Sequence, residues 1–286
     1  MPELPEVEII KKSLQKNVLF KKIDNVLIKN RNLRFKIQRN LKKFLIGKKI
    51  INISRKSKYL IFHFKEDYFL IIHFGMSGTL HLIKNNCIHQ SNLSFYKSQT
   101  LPKKHNHVEL IFSNFKIVYN DPRRFGFFKF LFSYDQLKLF FKKVGPEALD
   151  SKFNFGYLKK KLQSKEKNIK NILLDQKFVS GLGNIYVNEI LYYSRINPYT
   201  KGKYINDYKK KKIIKYSKEV LRKAIKRGGS TIRDFKNAKG NIGSFQNEFK
   251  VYNRVKKNCL REECNGKIER VVISSRSTFL CKYCQK

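Results

Sequence analysis

The order of apolar and polar positions divides the chain into a strand-rich first half and a helical second half. Between Lys58 and Phe132, apolar residues alternate with polar ones or run in short blocks between turn signals, which predicts an antiparallel β-sandwich. The blocks are KYLIFHF, DYFLIIHFG, TLHLI, VELIF and FKIVYND. Helical spacing in PEVEIIKKSLQKNV, and again from Asp135 to Val144, predicts helices before and after the sandwich.

The pattern changes at VGPEAL, around Gly145 and Pro146, which we expect to be a joint between domains. The following segments KNIKNILLD, NIYVNEILYYSR and NDYKKKKIIKYSKEVLRKAIKRGG have helical periodicity, and the last ends on a glycine pair. The sequence therefore predicts a multi-domain α+β protein. We expect a β-sandwich domain over residues 1–145, a helical domain over 146–249 and a small metal-bound module over 250–286.

The net charge of the chain indicates the class of its binding partner. The 286 residues include 63 Lys and Arg against 21 Asp and Glu, a formal net charge of +42. An A/T-rich genome would enrich lysine, but it would enrich glutamate too, so codon bias does not account for the scarcity of acids. We expect a nucleic acid partner, with a membrane surface far behind. No run of ~18 apolar residues and no signal peptide pattern occurs, so we expect a soluble cytoplasmic protein.

Four cysteines close to the end of the chain indicate a metal site. Cys259 and Cys264 form one close pair, Cys281 and Cys284 form the other, and the intervening KIERVVISSRSTFL predicts a β-hairpin. Two close pairs suit a tetrahedral Zn²⁺ ion, and four thiolates leave no open coordination position. The sequence therefore predicts one structural zinc ion. Cys87 lies apart from the others, and we expect it to be buried and inert.

Several turns carry candidate contacts to a nucleic acid. KFVSGLGNIYVNEI places Asn184 at a helix start, directly after Gly181 and Gly183. Unpaired N–H groups at a helix start attract an anion, but two glycines with this spacing are more often only a turn. GMSGTL and NDPRRFGFF contain Met76, Arg123 and Phe125, which are either packing and surface residues or a wedge that enters a base stack. Arg276, near the tip of the predicted hairpin, is either a phosphate contact or a solvated charge.

Motifs in order along the whole chain resemble those of bacterial formamidopyrimidine-DNA glycosylases. They are MPELPEVE, RKSKYLIF, HFGMSGTL, KHNHVEL, NDPRRFG, GPEAL, GLGNIYVNE, GGSTIRDF, VYNR and SRSTFLCKYCQK. The resemblance implies an N-terminal β-sandwich with flanking helices, a helix–two-turn–helix DNA-binding domain and a zinc finger, with duplex DNA in the cleft between domains. It also implies a monomeric base excision repair enzyme at the bacterial nucleoid. Such an enzyme excises oxidised purines, chiefly 8-oxoguanine and formamidopyrimidines, and cuts the abasic site by β,δ-elimination.

The resemblance assigns the chemistry to the start of the chain. Pro2 is the nucleophile once Met1 is removed, Glu3 is the group that transfers protons, and Lys58 lies near the damaged nucleotide. A chain-terminal amine has an ordinary pKa near ~8, so part of it is neutral where a lysine near ~10.4 is almost wholly charged. Because a terminal proline is a secondary amine, its adduct with C1′ is an iminium ion, which permits both eliminations.

The resemblance also implies the contacts with DNA. Met76, Arg123 and Phe125 fill the gap left by the everted nucleotide, and the arginine faces the orphaned cytosine. Asn184 and Arg276 hold the phosphates beside the lesion. The further backbone contacts that it implies are made by His73, Lys170 and Tyr252.

Two departures from the family pattern and two alternatives stay open. The first cysteine pair has four intervening residues where the family usually has two, and Asn171 stands where many members have proline. The segment Arg233–Ser244 corresponds to the family's flexible loop over the extruded base.

An endonuclease VIII-like glycosylase for oxidised pyrimidines shares the fold and the proline, but it typically has glycine where this chain has Leu4. The alternative from another class is a non-catalytic zinc protein that binds nucleic acid by charge.

Overall fold

The structure is a computed structural model that describes residues 2–84, 90–92, 101–230 and 244–286, with only the backbone of 90–92. Met1, Cys87 and residues 233–243 of the predicted flexible loop therefore lie outside the described residues. The chain divides into two compact units. The N-terminal unit comprises Met1–Lys142 and Arg227–Gln246, and the C-terminal unit comprises Lys143–Lys226 and Asn247–Lys286.

Two antiparallel sheets make up most of the N-terminal unit. Their strands are β1 (Asn25–Ile28), β2 (Ile50–Lys56), β3 (Tyr59–Phe64), β4 (Phe69–His73), β5 (Thr79–Lys84), β6 (Gln90–Asn92), β7 (Asn106–Phe112), β8 (Phe115–Asn120) and β9 (Phe127–Leu131). One sheet has the order β1-β7-β8-β5-β6, and the other has the order β2-β3-β4-β9. The β-sandwich expected from the alternation of apolar residues is confirmed.

One apolar core lies between the two sheets. It takes Leu80 and Ile117 from the first sheet and Phe62 and Leu70 from the second, and all four side chains are buried. Phe62 and Leu70 are also direct partners in the register of β3 and β4. Alternating strand positions point to the same face, so the spacing of these residues directs them inward.

In the described part of the N-terminal unit, three α-helices accompany the sandwich. They are α1 (Leu4–Val18), α2 (Leu41–Leu45) and α3 (Tyr134–Phe141). The apolar positions of α1 join the sandwich core, as those of an amphipathic helix should. The helices α1 and α3 confirm the helical spacing in the sequence. The sequence did not reveal α2, β1 or β2. The elements α2 and β1 have only five and four residues, and β2 lacks a regular alternation of buried and exposed positions.

The C-terminal unit is helical and ends in a hairpin. Its helices are α4 (Phe155–Leu162), α5 (Ile169–Leu174), α6 (Asn184–Tyr193) and α7 (Asp207–Lys226), and its strands are β10 (Ile268–Ile273) and β11 (Arg276–Cys281). The helix α7 ends just before the glycine pair, as predicted, and the β10–β11 hairpin occupies the segment between the cysteine pairs. Among the described residues, no helix is long and apolar enough to cross a membrane.

Candidate active site and metal centre

Residues 2 and 3 are held in the interior of the N-terminal unit. The helix α1 starts at Leu4, and Glu3 is its N-cap, with an extended backbone. Pro2 directly precedes the cap and is buried, and the Glu3 side chain is buried as well. The Glu3 side chain accepts a hydrogen bond from the backbone N–H of Glu6, which forms one half of a capping box. Residues this close to a chain start ordinarily fray, but Pro2 and Glu3 are buried and Glu3 is hydrogen-bonded.

The carboxylate of Glu6 forms the other half of the capping box and a second attachment. One of its oxygens accepts a hydrogen bond from the Glu3 backbone N–H at 2.9 Å. The other accepts hydrogen bonds from the backbone N–H and the hydroxyl of Ser230, both at 2.9 Å. Because Glu6 and Ser230 are both buried, these contacts are shielded from water. The residue that follows Pro2 is therefore tied to a segment more than two hundred residues away in the sequence.

Lys58 lies in the turn between β2 and β3, and its side chain is buried. Arg55 braces this turn by donating one hydrogen bond to the Ser57 carbonyl and another to the Glu8 carboxylate, both at 2.8 Å. Burial alone would raise the pKa of Glu8, but hydrogen bonds from Lys11 and Arg55 bring it below its ordinary value. The arginine therefore links the turn of Lys58 to α1, the helix that carries the chain start.

His73, at the end of β4, is held as a neutral ring. Its Nδ1 accepts a hydrogen bond from the Gly75 N–H at 3.1 Å, and its ring stacks on Phe127 with 5.5 Å between centroids. Burial, together with the positive charges of Lys58 and Arg34, lowers the pKa of His73 to about 4. Since Nδ1 is occupied as an acceptor, the single proton of the neutral ring is on Nε2, which leaves a donor for a phosphate oxygen.

Met76, Arg123 and Phe125 are exposed side chains on two neighbouring turns of the N-terminal unit. Met76 lies between β4 and β5, and the other two lie between β8 and β9. The exposed fractions of Met76 and Phe125 are 45% and 40%, and the Arg123 guanidinium carbon lies 4.7 Å from the centre of the Phe125 ring. A hydrogen bond from the Arg123 N–H to the Ser77 hydroxyl joins the two turns at 3.1 Å.

In the C-terminal unit, Asn184 and Arg276 lie at the junction of α6 with the hairpin. Asn184 is the first residue of α6, after the N-cap Gly183, and its Nδ2 donates a hydrogen bond to the Ser277 carbonyl at 2.9 Å. Its Oδ1 is buried without a hydrogen-bond partner. Arg276 opens β11 and is exposed. The start of a helix and an exposed guanidinium therefore adjoin Ser277 from both sides.

Lys170, which the resemblance assigns to a contact with the DNA backbone, has its side chain fully buried beneath the hairpin. Its Nζ donates hydrogen bonds to the Thr278 hydroxyl at 2.6 Å and to the Ser277 carbonyl at 3.2 Å. Burial and the Arg276 guanidinium lower the pKa of Lys170 to about 8. Asn171, at the position where many family members have proline, donates from its side chain to the Ser274 hydroxyl in the hairpin turn at 2.7 Å. Both residues therefore brace the hairpin that presents Arg276.

Tyr252 is positioned by a buried carboxylate on α6. Glu189 accepts hydrogen bonds from the backbone N–H groups of Lys250, Val251 and Tyr252 at 2.9, 3.0 and 2.8 Å. Burial raises the pKa of Glu189, and these three donors oppose that effect. The Tyr252 ring packs edge-on against Phe279 of β11, with 4.9 Å between ring centres.

The four cysteines converge on one point in the C-terminal unit. The sulfur atoms of Cys259, Cys264, Cys281 and Cys284 all lie within 4.8 Å of one another. The Cys259–Cys284 and Cys264–Cys281 sulfur pairs are 3.9 and 3.6 Å apart. Tetrahedral zinc with Zn–S bonds of about 2.3 Å requires sulfur atoms about 3.8 Å apart. The cluster can hold a metal ion, and the four residues between Cys259 and Cys264 do not prevent their sulfur atoms from converging.

Sequence reasoning missed the buried polar residues that hold these segments in place. They are Glu6, Asp121, Asn188, Glu189 and Ser230, all buried. Two of them have signals in the sequence that point to such a role. Glu6 stands three residues after an N-cap, in the capping-box position. Glu189 is a lone acid within an otherwise apolar helical segment, where an unpaired charge would be costly.

Family models match most of the chain. The model of the formamidopyrimidine-DNA glycosylase N-terminal domain matches residues 1–128. The model of the formamidopyrimidine-DNA glycosylase H2TH domain matches residues 144–236.

Relatives of similar length match from end to end. A formamidopyrimidine-DNA glycosylase of Rickettsia africae is 41% identical over 287 aligned residues, which cover 100% of this chain and 99% of the relative. A formamidopyrimidine-DNA glycosylase of a Wolbachia from Brugia malayi is 39% identical, with 100% of both chains covered.

Solved structures match equally completely. A mutant of the Lactococcus lactis FPG, in complex with a Fapy-dG containing DNA, superposes with a TM-score of 0.88 at 34% identity, and both chains are fully covered. MutM in complex with carbocyclic 8-oxo-G containing DNA superposes with a TM-score of 0.85 at 33% identity, again over the whole of both chains.

The contacts of Glu6 predict the effect of removing its charge. We expect Glu6→Gln to lower the free energy of unfolding of the N-terminal unit by about 1–3 kcal/mol, because an amide cannot accept hydrogen bonds on both sides and its NH₂ would face a donor. Urea unfolding of the variant and the wild-type chain measures the difference.

Glu66→Gln is the matched control, since Glu66 is in the same unit but its side chain is 60% exposed in an ion pair with Lys48. We expect this variant to remain within about 0.5 kcal/mol of the wild type. Equal stabilities for the two variants would contradict the anchoring role of Glu6.

Proposed function

Because the chain belongs to the formamidopyrimidine-DNA glycosylase family, a family with a characteristic AP lyase activity, we propose that its own terminus performs this chemistry on DNA. In this proposal the Pro2 amine attacks C1′ of an oxidised purine nucleotide after Met1 has been removed. The relatives carry the name of the purine enzyme, and two of the solved ones were captured on Fapy-dG and 8-oxo-G DNA. They support oxidised purines over oxidised pyrimidines as substrates.

The fixed chain start is the observation that carries this proposal. Pro2 precedes a helix cap that is buried and hydrogen-bonded on both sides, through Glu3 and Glu6. A catalytic amine on a frayed terminus would sample many orientations, whereas this one is held before substrate arrives. Such preorganisation is worth a large share of a reaction barrier when a nucleophile must be aligned with one carbon atom.

The proposed reaction has four steps: displacement of the base, opening of the sugar ring and two eliminations. The lone pair of the Pro2 nitrogen forms a bond to C1′, and the pair of the glycosidic bond leaves on the purine, which takes a proton. The sugar ring oxygen then departs with a proton from the amine, which leaves an iminium ion. Loss of a proton from C2′ expels the 3′-phosphate, and a second elimination expels the 5′-phosphate. Glu3, adjacent to Pro2 in the chain, is the proposed carrier of these protons, and the positive charge of buried Lys58 is proposed to stabilise the phosphates that leave.

The remaining site residues are proposed to bind and distort the DNA. In the N-terminal unit, Met76, Arg123 and Phe125 are exposed on two joined turns, which suits insertion into the place of an everted nucleotide. His73 offers its Nε2–H to a phosphate oxygen.

In the C-terminal unit, Asn184 and Arg276 are proposed to hold phosphates. Tyr252 stands on the backbone segment that Glu189 fixes, and we propose that it also contacts the DNA backbone. Lys170 is proposed to act from beneath the hairpin, since its charge lies next to that of Arg276. The net charge of +42 supports a strong attraction to duplex DNA that weakens as salt is added.

We propose that the four cysteines hold one zinc ion. Bound there, zinc supplies the free energy that orders a segment with only a small apolar cluster of its own, about 10–16 kcal/mol in finger peptides. The boundaries of the sandwich, helical and zinc-finger domains at 145/146 and 249/250 remain part of the proposal, as do a monomeric state and a cytoplasmic location at the nucleoid.

An extension at the N-terminus tests the proposed nucleophile. We expect a chain that retains Met1 behind an affinity tag to form no borohydride-trapped adduct with an 8-oxoguanine duplex, because its Pro2 nitrogen is an amide without a free lone pair. Binding of the same duplex should persist, because the DNA contacts are unchanged. Gel analysis of trapping and a binding titration give the two readouts.

The same tag at the C-terminus, on a chain that begins at Pro2, is the matched control and should trap normally. An adduct of normal yield with the N-terminal tag in place would rule out Pro2 as the nucleophile.

Metal analysis tests the zinc centre. We expect one zinc ion per wild-type chain and a much lower content in Cys264→Ser, because three thiolates bind zinc less tightly than four. DNA binding should weaken with the loss of zinc, since the hairpin of Arg276 lies between the ligand pairs. Cys87→Ser, which changes the one cysteine outside the cluster, is the control and should keep its zinc. A wild-type chain without zinc, or equal zinc in both variants, would contradict the centre.

A further inference from the structure

A buried aspartate lies beneath the two turns that carry Met76, Arg123 and Phe125. Asp121 follows β8 directly and is fully buried. One carboxylate oxygen accepts a hydrogen bond from the Ser77 hydroxyl. The other accepts hydrogen bonds from the Gly126 N–H at 2.8 Å and from the Tyr119 hydroxyl at 3.1 Å. Its side chain therefore contacts both turns from the inside, while the three proposed wedge residues lie outside.

Further hydrogen bonds extend from this carboxylate to the backbone of Arg123. The Ser77 hydroxyl, which donates to Asp121, accepts from the Arg123 N–H at 3.1 Å. The Arg124 N–H donates to the Asp121 carbonyl at 3.1 Å and closes a tight turn. Because Ser77 adjoins Met76 in the chain, one hydroxyl connects the backbone of the first turn to that of the second.

The two turns are packed in direct contact at two glycines. Gly75 has a φ of +59°, and a Cβ there would lie 2.3 Å from the Phe125 carbonyl carbon. A Cβ on Gly126 would lie 1.7 Å from the Tyr119 hydroxyl oxygen. Real Cβ atoms do not tolerate such distances. The backbone of Gly75 therefore packs directly on that of Phe125, and the backbone of Gly126 packs directly on the Tyr119 side chain.

We propose that Asp121 is a positioning residue, which locks the two turns into one rigid platform so that Met76, Arg123 and Phe125 enter the duplex together. This inference rests on the proposed function of those three residues. Asp121 itself does not touch DNA, since it is buried under the turns. A wedge that is rigid beforehand loses little conformational entropy when it enters the base stack, so more of its contact energy offsets the cost of eversion.

The chemistry of the site requires a carboxylate. Three donors converge on the side chain of Asp121, and a carboxylate is the short side chain that accepts on both of its ends. An asparagine of the same shape would direct an NH₂ group at either the Ser77 hydroxyl or the Gly126 N–H. Asp121→Asn therefore changes the hydrogen bonding of the turns with little change in volume.

A comparison of two substrates tests the inference. One is a duplex with 8-oxoguanine opposite cytosine, which must be opened, and the other is a single strand with a preformed abasic site, which needs no wedge. We expect Asp121→Asn to lower the borohydride trapping rate on the duplex by about tenfold to a hundredfold, as a shift of the wedge would. The rate on the single strand should match the wild type.

Glu109→Gln is the matched control, because Glu109 is a buried carboxylate on the neighbouring strand β7 that accepts from Lys29 and Lys116 rather than from the turns. It should leave the ratio of the two rates unchanged. Ser77→Ala, which removes the hydroxyl that bridges Asp121 and Arg123, is a milder second variant and should lower the duplex rate selectively.

The two rates distinguish a positioning role from a general loss of folding. If Asp121→Asn and Ser77→Ala both match the wild type on the duplex, or if both lower the two rates equally, the inference is overturned. If Asp121→Asn misfolds and loses both rates, the result with Ser77→Ala is used instead. A lower rate on the duplex alone then supports the inference, and an unchanged duplex rate overturns it. A wild-type chain that traps neither substrate would instead contradict the proposed function itself.

Discussion

The carboxylate of Glu6 accepts hydrogen bonds from the N-cap of the first helix and from Ser230, and the position of the chain start depends on these contacts. The constraint is severe for the proposed role of Pro2, because a nucleophile on a chain terminus has a covalent neighbour on one side only. Every other restraint on Pro2 has to come from burial and from hydrogen bonds at the residues that follow. The capping box of α1 supplies these restraints within the first turn of the helix, and Ser230 fastens the turn to the rest of the N-terminal unit.

A buried acid plays a similar part in two loops that carry candidate functional side chains. Asp121 accepts hydrogen bonds from the two turns that carry Met76 and Arg123, and Glu189 accepts from three backbone N–H groups of the segment that carries Tyr252. In each case a buried acid accepts hydrogen bonds from chain that has no regular partner, and a loop becomes a rigid support. This arrangement needs few acidic residues, and the protein has only 21 of them against 63 basic residues. Several of its few acids stabilise loops, and the surface remains positive for DNA.

The sequence predicted the large elements and missed the small ones, for physical reasons. The strands β3, β4, β5, β7 and β8 and the helices α1 and α7 repeat their pattern often enough to be recognised, whereas α2 and β1 are too short. Cysteine spacing indicated the cluster that can hold a metal ion, because its four residues are of one rare type. The roles of Asp121 and Glu189 depend on which distant backbone groups fold onto them, and that is a property of tertiary structure. For Lys170, the resemblance implied a contact with the DNA backbone, but the sequence did not reveal that its side chain is buried.

The most direct test of the proposed chemistry is the identity of the residue that becomes bonded to DNA. A borohydride-trapped complex of the wild-type chain with an 8-oxoguanine duplex, digested with trypsin and a nuclease, can be sequenced by tandem mass spectrometry. We predict that the remnant of the sugar is attached to the nitrogen of Pro2, within the first tryptic peptide, which ends at Lys11. Attachment to any lysine, including Lys58, with an unmodified Pro2 would contradict the central role of the chain start.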